Sequence, residues 1–127
     1  MEQYLNGQEH IGIPTSSVKD TVAFYTELGF KVIYQTTVNG SDVAFLDLKG
    51  MVIETYSVEA PALRAGSIDH IAINTDDIEA CFKIANERGY RFADGGVING
   101  MPFFENGVRF FKIFGFNEEI VEFCQHV

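Results

Sequence analysis

The sequence of 127 residues predicts an α+β fold: two tandem βαβββ modules forming a curled, partly open mixed β-sheet with helices on its outer face. Three observations predict it. Two stretches repeat at an offset of 60, each half runs through the same order of strand-like and helix-like segments, and turn signals fall at matching places in both halves.

The repeat aligns His10-Ile-Gly-Ile-Pro-Thr with His70-Ile-Ala-Ile-Asn-Thr and Leu28-Gly29-Phe30-Lys31-Val32 with Arg88-Gly89-Tyr90-Arg91-Phe92. After an insertion, Val43-Ala44-Phe45-Leu46 matches Val108-Arg109-Phe110-Phe111, Gly50 matches Gly115, and Ile53-Glu54 matches Val121-Glu122. The repeat units are 8–58 and 68–126, joined in a single domain spanning 1–127.

Each unit opens with a short strand that alternates around Ile11 and Ile13, or Ile71 and Ile73. In the first helix Val18, Val22, Tyr25 and Leu28 recur at helical spacing, with Ser17 as N-cap, Asp20 three residues on and Gly29 past the end. Ile78, Phe82 and Ala85 repeat the pattern between Asp77 and Gly89. Three strand runs follow in each unit, at 30–36, 42–48 and 51–57, then at 90–94, 108–114 and 119–125. Asn39-Gly40, Gly50, Asn106-Gly107 and the Gly115–Glu118 turn separate them.

Composition narrows the function classes. A net charge of −9 opposes nucleic-acid phosphates and anionic lipid surfaces, so neither is an expected partner. The two cysteines, Cys81 and Cys124, lack any ligand spacing, which suits free thiols in a reducing compartment; the cytoplasm is the expected location. The start has no basic n-region or apolar h-region, and no apolar run reaches spanning length.

Strand alternation turns His10 away from Ile11 and Ile13, His70 away from Ile71 and Ile73, Glu54 away from Ile53, and Glu122 away from Val121 and Phe123. All four polar groups therefore leave the helix-packed face, and the concave side of a curled sheet would gather them. Two carboxylates withdrawn from water need a counter-charge, and two imidazoles beside them make a nitrogen and oxygen set that suits one divalent ion such as Ni²⁺, Zn²⁺, Mn²⁺ or Co²⁺. A lone strand histidine is ordinarily just a hydrogen-bonded residue, and a strand glutamate ordinarily faces solvent. Recurrence of both, at matching places in both units, is what singles out His10, Glu54, His70 and Glu122.

His10-Ile-Gly-Ile, Val22 to Phe30, Ile53-Glu54, Ile68-Asp69-His70-Ile71-Ala72 and Ile120-Val121-Glu122-Phe123 together resemble the vicinal oxygen chelate superfamily of glyoxalases, bleomycin resistance proteins and dioxygenases. The resemblance covers nearly the full length and is nearest to bacterial glyoxalase I-like proteins. It implies a lyase or isomerase that converts a 2-oxoaldehyde thiol hemithioacetal to a 2-hydroxyacyl thioester through a metal-bound enediolate. Glu122 then matches the proton-shuttling ligand, with Glu54 as its partner. It further implies a homodimer, in which His10 and Glu54 of one chain meet His70 and Glu122 of the other. The alternatives are a methylmalonyl-CoA epimerase-like acyl-CoA epimerase, whose relatives carry Gln where Glu54 stands, and a small-molecule-binding protein without turnover.

The expected partner is a small molecule, with a low-molecular-weight thiol as carrier. Glutathione-using relatives carry Arg and Asn where this chain has Pro14 and Val58, so the resemblance does not fix the thiol as glutathione. Between Gly95 and Glu105, Met101, Phe103 and Phe104 are expected at a lid, a pocket rim or a packing edge. Cys81 reads as helix core, Cys124 as a small buried thiol and His126 as solvated.

Overall fold

A computed structural model describes residues 1–4 and 6–127. It divides into two compact units, Met1–Ala62 and Leu63–Val127. After a short 3-10 turn at Glu2–Tyr4, the first unit consists of β1 (Ile11–Thr15), α1 (Val18–Glu27), β2 (Lys31–Val38), β3 (Ser41–Leu48) and β4 (Met51–Ser57). The second repeats the order with β5 (Ile71–Asn74), α2 (Ile78–Glu87), β6 (Asn99–Met101), β7 (Val108–Phe114) and β8 (Ile120–His126). The described residues thus form the predicted α+β fold, with two four-stranded mixed sheets, neither of them closed. Their strand orders are β1-β4-β3-β2 and β5-β8-β7-β6. In each sheet the first strand lies parallel to the last, and the remaining pairs are antiparallel.

The helix ends follow from local chemistry. The Ser17 hydroxyl accepts from the Asp20 amide and donates to its carboxylate, closing the first turn of α1, and Asp77 accepts from the Ala80 amide at the start of α2. Both helices stop at a glycine with φ above zero, Gly29 at 106° and Gly89 at 70°. There the Phe30 amide reaches back to the Tyr25 carbonyl and the Tyr90 amide to that of Ala85, the longer bond of a Schellman motif.

Helix α1 packs on β3 and β4, and α2 on β7 and β8. Under α1 lie Val18 and Tyr25 with Ile13, Phe30, Ala44, Leu46 and Ile53, all buried. The second core holds Ile78, Ala85, Phe111, Ile113 and Val121, with Phe111 stacked on Phe123 at 4.9 Å. Burying each Val, Leu, Ile or Phe among these contributes about 1.5–3 kcal/mol, and it fixes which face of each sheet is left for a site.

Two expectations need correction. The run at 90–94 forms no strand; its pairing with β7 is one bridge, Phe92 to Ile113, and the second strand of this unit in chain order is β6 instead. The physical cause lies in Asp94, Gly95 and Gly96. The Asp94 carboxylate accepts from the Lys112 amide at 2.8 Å, taking a donor that strand pairing would use, and both glycines turn to positive φ, 85° and 71°. The 95–105 segment therefore holds β6 as well as a loop. Met101 and Phe104 line a hollow of about 480 Å³ there, with Val108 and Val127.

The second correction is to the internal alignment. Phe45 lies opposite Glu54, whereas Lys112 lies opposite Glu122. The counterpart of Phe45 is therefore Lys112 and not Phe110, a slip of two residues. Buried Ala44 and Leu46 then match buried Phe111 and Ile113. Because strand side chains alternate with period two, this slip kept every residue on its correct face while giving it the wrong neighbour.

Candidate metal centre

His10 stands one residue before β1, and the parallel register with β4 sets Gly12 beside Glu54. That places the imidazole and the carboxylate on the same face, with His10 Nε2 3.1 Å from Glu54 Oε2. The other ring nitrogen, Nδ1, is hydrogen-bonded to the Glu9 carboxylate. The same ring makes a T-shaped contact with Phe45, at 5.6 Å between centroids.

The second unit builds the same pair. Ala72 is in register with Glu122, and His70 Nε2 lies 3.5 Å from Glu122 Oε2 while its Nδ1 is hydrogen-bonded to Asp69 at 2.8 Å. In each half the carboxylate directly before the histidine is thus bonded to Nδ1 and orients the ring, leaving Nε2 as the nitrogen that faces the glutamate. Glu9 and Asp69 were not among the site residues expected from the sequence. Their signal was available, since an acid precedes the histidine at both places of the 60-residue repeat.

Electrostatics follow this geometry. The hydrogen bond to Glu9 raises the His10 pKa above its ordinary 6.5; desolvation opposes the rise, and the charges of Glu9 and Glu54 add to it. The hydrogen bond from His70 holds the Asp69 carboxyl below the usual carboxylate range. Burial, then the Glu122 charge, pushes the Cys124 thiol up, which does not suit a nucleophile; the residue is half-buried, not the fully buried thiol expected. In the second unit Lys112 adds a positive charge beside Glu122, with Nζ 3.5 Å from Oε2.

The four predicted ligands thus come together as two pairs, His10 with Glu54 and His70 with Glu122. Among the described residues no three His, Cys, Asp or Glu side chains are gathered closely enough to hold a metal ion. Each pair nevertheless fits half of a nitrogen and oxygen donor set for a first-row divalent ion. The observation behind that fit is that Nδ1 is tied in both pairs, so Nε2 is the nitrogen left to coordinate. Pro14 and Val58 are half-buried and supply no polar side chain.

A fold of paired βαβββ units, with a His and Glu pair in each, defines the class. Residues 7–107 match the Glyoxalase/Bleomycin resistance protein/Dioxygenase superfamily, and the chain belongs to it. It is 35% identical over 126 residues to the "Uncharacterized protein YwbC" of Bacillus subtilis (strain 168), covering 92% of this chain and 95% of that protein. The glyoxalase family protein from Enterococcus faecalis shares the fold with a TM-score of 0.78 at 22% identity, covering 95% of this chain and 98% of that one. So does the fosfomycin resistance protein FosX from Listeria monocytogenes, in its complex with Mn(II) and sulfate. Its TM-score is 0.72 at 16% identity, over 97% of this chain and 94% of that one.

Proposed function

We propose that this chain is a metal-dependent lyase or isomerase of the glyoxalase I type, converting a 2-oxoaldehyde thiol hemithioacetal to a 2-hydroxyacyl thioester. His10, Glu54, His70 and Glu122 would hold one divalent ion, Ni²⁺, Zn²⁺, Mn²⁺ or Co²⁺. The single observation that carries the reading is the duplicated pair, in which each Nε2 faces a carboxylate while the preceding acid anchors Nδ1. FosX, crystallised with Mn(II), supports an ion of this kind on this fold. When bound, the ion would supply Lewis acidity, polarising adjacent substrate oxygens.

The remaining chemistry belongs to the chain. Glu122, with its side chain 12% exposed, is the more sheltered of the two carboxylates and is assigned as the base that takes the proton beside the carbonyl and returns it to the neighbouring carbon. Glu54, 25% exposed, is the second carboxylate of the site and its partner in proton transfer. In this reading the two units form a single domain, the protein is a cytoplasmic homodimer, and its partners are a small-molecule substrate and a low-molecular-weight thiol. Pro14 and Val58 favour a thiol other than glutathione, because a site built for that tripeptide needs polar contacts that neither side chain can make.

The test is activity of metal-reconstituted protein on methylglyoxal mixed in turn with several low-molecular-weight thiols. Formation of the 2-hydroxyacyl thioester supports the reading. Absence of turnover with every thiol, in protein that has taken up the ion, removes the lyase assignment.

A further inference from the structure

We propose that Tyr34 and Phe45 form a wall of this site that receives a neutral aromatic group carried on the substrate's carbonyl, so that the preferred 2-oxoaldehyde is an arylglyoxal. The proposal rests on the metal-binding reading above and narrows its substrate class. Three observations carry it.

First, an irregularity in β2 sets Tyr34 in line with the ligand pair. Lys31 lies opposite Asp47 and Val32 opposite Leu46, so an even ladder would bring Ile33 opposite Phe45; the register shifts instead, and Tyr34 takes that place. Phe45 in turn lies opposite Glu54, and Glu54 is in register with Gly12. Tyr34, Phe45, Glu54 and Gly12 thus form one row across β2, β3, β4 and β1, on the face opposite buried Ala44, Leu46 and Ile53. Second, the rings of this row are joined to a candidate ligand. The centre of the Phe45 ring lies 5.6 Å from that of His10 and 6.1 Å from that of Tyr34. Tyr34 is nonetheless 58% exposed and Phe45 only half-buried, so the aromatic surface that begins at the His10 and Glu54 pair is left uncovered by the core of its own unit.

Third, the row stays open beside the carboxylate. A Cβ at Gly12 would sit 3.7 Å from the Tyr56 ring and 3.9 Å from Glu54 Oε2, so the missing side chain leaves both accessible to a ligand. The corresponding row of the second unit reads Lys112, Glu122 and Ala72, with an ammonium-bearing chain where Phe45 stands and a methyl where Gly12 stands. This apolar row is therefore built in the first unit only. A flat neutral ring matches it, because such a ring loses apolar area to water-free contact and packs on Phe45 and Tyr34 in the offset or edge-on manner that aromatic pairs favour. A methyl group offers little area to either ring.

The experiment uses the full chain loaded with Mn²⁺, with metal content measured directly. Acetohydroxamate and benzohydroxamate serve as probes, since both chelate through the same two oxygens and differ only in a methyl or a phenyl group. Each is followed by the loss of Mn²⁺-bound water in proton relaxation and referred to its affinity for free Mn²⁺. The parent should favour benzohydroxamate about tenfold or more. Tyr34→Ala and Phe45→Leu should keep the parental Mn²⁺ content and acetohydroxamate affinity and lose most of that preference, while Tyr34→Phe should retain it. Ile84→Ala, which trims an exposed apolar side chain on α2, should match the parent. Tyr34 lies outside the buried core, so its truncation tests the wall even where Phe45→Leu fails to fold. A Mn²⁺-loaded parent that binds the two probes alike, or a Tyr34→Ala protein that keeps the preference, overturns this proposal and leaves the metal reading standing. So does a Tyr34→Ala protein that sediments as a monomer where the parent is a dimer, with the preference intact, which would make Tyr34 an interface residue. A parent that takes up no Mn²⁺ overturns the metal reading, and this proposal with it.

Discussion

Glu122 and His10 are the residues on which the proposed chemistry turns. Glu122→Gln is nearly isosteric and keeps an oxygen able to coordinate, yet an amide cannot take a proton at neutral pH. Turnover should fall about 10²–10⁴-fold, mostly in kcat, while metal content is largely kept; stopped-assay kinetics with solvent-deuterium incorporation checks it. Parental exchange in that variant would move the base to Glu54. His10 gives a pH prediction from its hydrogen bond to Glu9. Its pKa is raised on folding, so the stability this contributes is fully present below the unfolded value of about 6.5 and is lost as pH rises through the higher folded value. NMR titration of protein without added metal should place His10 above 6.5, and Glu9→Gln should bring it down. No change in that variant would remove Glu9 as the cause.

The elements differ in how openly the sequence announces them, as β6 and its neighbours show. Asp94 ties β6 to β7 through two bonds, from the Lys112 amide at 2.8 Å and from the Asn99 side chain at 3.1 Å. Asp94→Ala should cost about 1–3 kcal/mol, read by denaturant unfolding, and should speed hydrogen exchange at the Lys112 amide. Unchanged exchange would show that the carboxylate does not hold the strand. The two helices were legible because Ser17, Asp20, Gly29, Asp77 and Gly89 act on backbone groups within a few residues of themselves. Strand β6 was not, because its position depends on where Asp94 finds an amide 18 residues away. The candidate ligands were legible because both histidines recur directly before a first strand and both glutamates recur within a last strand of fixed alternation. Lys112 was hidden, since the alignment slipped by two residues after the insertion and parity alone could not reveal the error. Glu9 and Asp69 were visible in the repeat, but only the ring contacts give them a role.

At the scale of the whole molecule, the proposal is one metal site drawn from two similar halves, in a protein that acts as a homodimer. Ile33 and Val38 on β2, with Phe103 and Phe104 beyond β6, leave large apolar side chains exposed, which a second copy would cover. Sedimentation should therefore report a dimer, and mixing inactive His10→Ala with inactive His70→Ala should restore part of the activity; a strictly monomeric species would contradict this arrangement. The net charge of −9 favours solubility and the capture of cations over that of polyanions. The most direct test of the central claim is metal content by mass spectrometry after reconstitution with Ni²⁺, Mn²⁺, Co²⁺ or Zn²⁺ and removal of excess ion. The parent should retain about one ion per chain, and His70→Ala should lose most of it, because losing one ligand from such a set costs far more than the 10–100-fold typical of an outer partner. A parent that stays metal-free, or a His70→Ala protein that retains the ion as well as the parent, would contradict the claim that the duplicated His and Glu pairs form a metal site.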